Sequence, residues 1–170
     1  MVASNEFRDF VKAQARSDEQ ENAVSWGQRR ESWLSHIAEL YQTTETYLAE
    51  YLAEGSIRIS YEDREVNEER LGPYSVRRML IQIGSKVVTL TPVGTLIFGA
   101  QGRVDLDGPA GKVRIVLVEK SSSRLDIRVR ILKPGETSQA ERAAPAEDLA
   151  WKIASASPRV ELSDLTRERF

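Results

Sequence analysis

From Tyr74 to Lys133 the chain is a succession of short apolar and β-branched runs, cut at near-regular intervals by Gly, Pro, Asp and Ser. That spacing leaves few folds open. VRRMLIQIG, KVVTLT, GTLIF, GRVDLDG, GKVRIVLVE and RLDIRVRIL each read as a strand closed by a tight turn. The clearest alternation lies in the last: Leu125, Ile127, Val129 and Ile131 fall on one side and Arg124, Asp126, Arg128 and Arg130 on the other. A period of two means one oily face and one wet face, and the oily face must be covered.

The preceding stretch supplies the cover. From Val24 to Leu52, Trp26, Trp33, Leu40 and Tyr47 recur at one helical spacing, Leu34, Tyr41 and Leu48 at the same spacing beside them, with Ile37 and Tyr51 between. The resulting stripe is broad, which suits a helix lying across a sheet better than the narrow seam of a two-stranded coil. Gly55 ends the helix. Upstream, residues 1–16 read as a short helix with Phe7, Phe10 and Val11 on one side, and Ser17-Asp18-Glu19-Gln20 has the spacing of a capping box that starts a second one. Gly27 is an internal weak point. The expectation is a helical hairpin over 1–55.

Ser56 to Glu62 alternates and reads as the first strand, and the charged stretch Asp63 to Gly72 as a solvated loop or the protruding end of a hairpin. Pro92 marks an edge or a bulge; Asp107-Gly108 and residues 99–102 are turn material. Residues 134–144 are small and polar, a connection. Pro145 suits the first turn of a helix, with Glu147 and Asp148 near its positive end and Leu149, Trp151 and Ile153 to bury. Ser157-Pro158 stops that helix, 159–162 adds a short edge strand, and 163–170 begins a further helical turn. Phe170, apolar at the terminus, points to docking on a partner or to a shortened chain. The fold expected is a single α+β domain: 1–55 a helical arm, 56–133 a five- to six-stranded antiparallel sheet, 134–144 a linker, 145–170 a C-terminal helix and tail. Trp33, Ile37, Leu40, Ile127 and Val129 are its expected core.

With 170 residues, 41% hydrophobic and 29% charged, the chain has the material for one substantial core. It has no cysteine, which removes disulfides, thiolate metal sites and cysteine nucleophiles together. The amino-terminal residues mix charge with apolar side chains unlike a secretory signal, and no apolar run approaches bilayer length, so we place the protein in the cytoplasm, off the membrane. Its net charge of −2 hides an asymmetry. Residues 17–54 carry eight acidic against two basic side chains, and residues 74–133 eleven basic against four acidic.

Chemistry-bearing residues are sparse. The single histidine, His36, has no nucleophile or carboxylate named beside it and reads as a surface or helix-packing residue. Asp105 and Asp107 point to one side of a strand and would hold a hard cation only with Glu119 or Asp126; a metal-dependent nuclease core generally wants lysine where this chain has Arg128. The glycines at 94, 99, 102, 108 and 111 lie far from any helix start and form no phosphate cradle. The strands themselves carry the sharper expectation. If their apolar sets face inward, Arg58, Arg78, Lys112, Arg114, Arg124, Arg128 and Arg130 face outward as a partner-binding surface, opposed by Glu62 and Asp126. Aromatic stacking residues are missing there and the pI is near 5.6, unlike dedicated nucleic-acid domains. The reading is therefore a non-catalytic interaction protein, a partner-binding subunit or inhibitor, holding a protein partner or another copy of itself through this face or through residues 63–72. It needs no cofactor or metal. Nucleic-acid binding on the same face is the first alternative and a divalent-metal nuclease-like enzyme the second.

Overall fold

The computed structural model describes residues 3–95, 97, 99–125, 148–155 and 160–169. One continuous helix, α1 (Ala3–Tyr47), leads into a five-residue helix, α2 (Ala49–Ala53). Seven strands follow: β1 (Ile57–Glu68), β2 (Gly72–Ile83), β3 (Lys86–Gly94), β4 (Gly102–Gly108), β5 (Gly111–Glu119), β6 (Leu149–Ala154) and β7 (Leu162–Asp164). Each pairs antiparallel with the next, so spatial order equals chain order.

The turns explain why the meander forms. Gly84, with φ +57°, is the first of two residues between Ile83 and Lys86, the position where a type II′ hairpin needs a positive φ. Gly72, at φ +69°, closes the three-residue loop between β1 and β2. Pro92 sits where the β3–β4 register shifts, at a bulge as its missing N–H requires.

The second half of α1 lies across one face of the sheet. Trp33, Ile37, Leu40 and Tyr41 are buried together with Tyr74, Val76, Met79, Ile81, Leu90, Val104, Ile115 and Leu117. The helix reaches both margins: the Tyr61 hydroxyl on β1 donates to Glu45, and the Tyr47 hydroxyl donates to the carbonyl of Leu165, just past β7, at 3.3 Å. Trp33 lies so flat on β4 that a Cβ at Gly102 would come within 2.2 Å of its ring. On the other face, Val116, Val118 and Ala154 form a second small cluster with Ala100, Leu125, Val160 and Leu162. The run Ile115–Val118 is thus buried on both sides, the usual meaning of an unbroken apolar run within a strand.

Long two-stranded ribbons twist strongly, and the β1–β2 hairpin does. Near its base Ile57, Ile59, Tyr61, Met79 and Ile81 face the helix; further out Val66, Tyr74 and Val76, of opposite parity, enter the same core. β3 pairs β2 only from Met79 to Ile83, so no third strand flattens the outer half. The charged stretch 63–72 is the end of this hairpin: residues 63–68 are paired strand, and only 69–71 form the loop.

Several expectations are corrected. There is no helical hairpin, because α1 runs unbroken through Ser17–Gln20 and Gly27. A capping box inside a run of helix formers compels no stop, and one glycine costs only about 1 kcal/mol against alanine. The sheet has seven strands in place of five or six. Of the expected strand GTLIF, Gly94 ends β3 and Ile97 makes only an isolated bridge with Ala100, while Leu96 and Phe98 lie outside the described residues. The expected C-terminal helix is β6, pairing β5 from Glu119↔Leu149 to Arg114↔Ala154. Leu149, Trp151 and Ile153 are spaced by two, and that spacing overrides the helix-start signal of Pro145. The edge strand falls at Leu162–Asp164 in place of the expected 159–162, and within 163–170 the described residues form no helix, only a single turn in which the Arg169 amide donates to the Thr166 carbonyl at 3.1 Å. Trp33, Ile37 and Leu40 are core as expected. Ile127, Val129 and most of RLDIRVRIL lie outside the described residues, as does the 134–144 linker.

Candidate functional site

Because side chains alternate along a strand, the residues between the helix-facing ones make an outer face. It consists of Arg58, Ser60 and Glu62 on β1, Arg78, Leu80 and Gln82 on β2, Val87, Thr89 and Thr91 on β3, Arg103, Asp105 and Asp107 on β4, and Lys112 and Arg114 on β5. The register lines them up. One row runs Ser60, Leu80, Thr89, Asp107, Lys112 across five strands.

Four of the basic residues expected to share a face do so: Arg58, Arg78, Lys112 and Arg114. The carboxylates that share it sit beside them. Arg78 lies directly opposite Glu62, its Nε donating to Oε2 at 2.8 Å. Lys112 lies opposite Asp107 with 3.2 Å between charged atoms. Arg103, two residues before Asp105 on the same strand, grips it with both Nε (2.6 Å) and Nη2 (2.8 Å). That forked pair is the most sheltered, with Asp105 only 14% exposed, and the hydrogen bonds to Asp105 push the Arg103 guanidinium further towards its charged form. Arg58 and Arg114 are exposed and have no ion pair among the described residues. Arg124 is exposed beyond β5, where its backbone bridges to Glu161. Arg128 and Arg130 lie outside the described residues.

Between these charges runs an uncharged strip of Ser60, Leu80, Gln82, Val87, Thr89 and Thr91, with Val87 40% exposed. Asp105 and Asp107 do share a side, but each already faces a cation. Among the described residues no group of three His, Asp or Glu side chains is placed to hold a metal ion.

Buried polar groups elsewhere hold the fold together. His36 is 7% exposed, and its Nδ1–H donates to the Ser32 carbonyl at 2.7 Å, while its own backbone carbonyl accepts from the Trp151 indole at 3.0 Å. It is a helix-packing residue. Glu68, at the end of β1, is buried against Gly94 and accepts from the Tyr74 hydroxyl (2.6 Å), the Thr95 amide (2.8 Å) and the Thr95 hydroxyl (3.0 Å). Burial, then Glu68, drives the Tyr74 phenol well above its ordinary pKa. Burial likewise raises Tyr41, whose hydroxyl donates to the Arg77 carbonyl at 2.6 Å, and burial followed by Glu45 raises Tyr61. At the hairpin loop Arg70 sits over the Trp26 ring, with Arg29 also against it. The sequence reading missed Glu68 and Lys152, both buried. For Lys152 a signal existed: it falls between Trp151 and Ile153, on the side of β6 away from the helix.

The fold and face define a class, an α+β protein with a helix laid across a seven-stranded antiparallel meander and a mixed-charge outer surface. No protein-family model matches the chain, and neither a curated protein nor a solved structure does. No helix among the described residues is long and apolar enough to cross a membrane.

Proposed function

We propose that this is a non-catalytic binding protein that holds a protein partner on the outer face of its sheet. The observation that carries the reading is the arrangement of charge on that face. Its basic residues are interleaved in register with Glu62, Asp105 and Asp107, leaving an uncharged middle strip bordered by ion pairs. A polar, charged rim around a less charged centre is the anatomy of a protein-binding patch. A phosphate backbone laid there would meet three carboxylates as well as the arginines, which weakens the counterion-release drive on which nucleic-acid binding depends. The buried His36, Glu68 and Lys152 are engaged by hydrogen bonds within the fold, which supports a scaffold role for them.

The test places a bulky charge at the centre. Thr89→Arg, on the solvent side of a sheet, should leave the circular dichroism and melting unchanged. A partner held by the native protein from its own cell extract, or a dimer seen by sedimentation, should be lost in Thr89→Arg. Retention of the same partner by the variant excludes this face. Retention of oligonucleotide at low salt, lost on Arg114→Glu, returns the nucleic-acid reading to first place.

A further inference from the structure

At the far margin of the sheet, away from the uncharged strip, the chain builds a second kind of surface. After β5 the 120–123 turn is pinned by three backbone bonds: the Lys120 amide donates to Asp148 (2.8 Å), the Ser122 amide to Glu119 (2.9 Å), and the Leu162 amide to the Ser123 carbonyl (3.0 Å). From β6, Lys152 passes beneath this turn. Its Nζ donates to the carbonyls of Lys120 (2.7 Å) and Ser122 (2.9 Å) and faces Asp164 Oδ1 at 3.3 Å. Two of the ammonium's three hydrogens go to these carbonyls, and its charge is paired with Asp164. Lys152 thereby fixes the turn from beneath, its charge offset by Asp164. Its side chain is 9% exposed, whereas that of its counter-ion Asp164 is 78% exposed and turned largely to water.

Above the lysine lies an open cleft of about 440 Å³, within the range of small-molecule sites. Its lining includes the hydroxyl-bearing residues Ser121, Ser122, Ser123 and Thr166, with Ser163 of β7 and Arg169. None of those hydroxyls has a hydrogen-bond partner among the described residues, and the Arg169 guanidinium has no ion pair there. Lys152 and Asp164 offset each other, so Arg169 is the cation among the lining residues that lacks a counter-ion there.

We infer that this cleft binds a phosphate-bearing small molecule, the hydroxyls and Arg169 donating to the phosphate oxygens and the remaining volume holding the organic group. Hydroxyl donors and a planar guanidinium suit a compact oxyanion with several acceptors, and the charge of Arg169 favours the anion over a neutral polyol. No glycine-rich loop or helix terminus takes part, so a search of the sequence for phosphate-binding backbone loops passes over it. The site is separate from the proposed protein-binding strip and does not depend on it.

Titration of the full chain with inorganic phosphate and with glucose 6-phosphate, followed by amide chemical shifts at constant ionic strength, tests the assignment. Both should shift the amides of Ser121, Ser123, Ser163 and Arg169 saturably. Arg169→Gln, a change at an exposed residue, should weaken binding about tenfold or more, the loss expected for a charge-assisted hydrogen bond. The double variant Ser121→Ala with Ser123→Ala should weaken it as well, with the native melting temperature kept. Shifts that rise linearly and are matched by chloride overturn the site. Equal shifts with glucose overturn the anion class, and unchanged affinity in Arg169→Gln overturns the assigned donors.

Discussion

The inner and outer faces of this sheet are made by alternate residues of the same strands, yet they are closed by different physics. Under α1 the fit is steric: Trp33 occupies the space that any side chain at position 102 would need, and Met79, Leu90, Val104 and Ile115 are fully buried around it. On the outside the fit is electrostatic and local: Arg78 meets Glu62 and Lys112 meets Asp107 because the hairpin register puts them opposite. The first arrangement carries the stability. Burying apolar surface contributes about 25 cal/mol per Å², whereas exposed ion pairs are worth about 0–1 kcal/mol each. The outer charges are therefore free to serve recognition at little expense to the fold.

If the contrast holds, the largest loss should come from the inner face. Trp33→Ala should destabilise by about 3–5 kcal/mol in urea unfolding, since it removes the ring that spans Gly102 and Trp151. A loss under 1 kcal/mol would show that the helix does not hold the sheet. Next comes the latch at the hairpin's end. Glu68→Ala strands the Tyr74 hydroxyl and the Thr95 amide and should cost about 1–3 kcal/mol, with amide exchange rising first at residues 66–76. Smaller, and opposite in sign, is Thr44. It is fully buried with its hydroxyl unpartnered, so Thr44→Val, which keeps the shape and removes the stranded oxygen, should stabilise by about 1 kcal/mol. A destabilised valine variant would mean that the hydroxyl has a partner in solution. The smallest effect belongs to the outer face: Arg78→Ala should change stability by no more than about 0.5 kcal/mol, and less at 1 M salt than at 0.05 M. A larger effect would break the division between the faces.

Much of the inner face was legible because its signal is short-ranged. Trp33, Ile37 and Leu40 announce a helix stripe by their spacing alone, and Ile57, Ile59 and Tyr61 a strand face. The same reasoning went astray where two local signals competed. Pro145 with its acidic neighbours argued for a helix, while Leu149, Trp151 and Ile153 kept strand spacing, and pairing with β5 decided between them. Ser17–Gln20 carried a helix-start signal that a continuous helix simply absorbs.

What the amino-acid order determined by itself was which side chains are oily on which side, where turns must fall, and that one broad helical stripe would have a sheet to cover. Those properties depend on neighbours two to four residues away. Only the tertiary structure decided that Glu62, Asp105 and Asp107 stand among the arginines, that the β1–β2 ribbon rolls over to bury Glu68 against Thr95, and that Lys152 passes beneath a turn some thirty residues before it in the chain. A charge is neutralised by whatever register and twist bring beside it, and both are set by turn length and packing across the whole sheet.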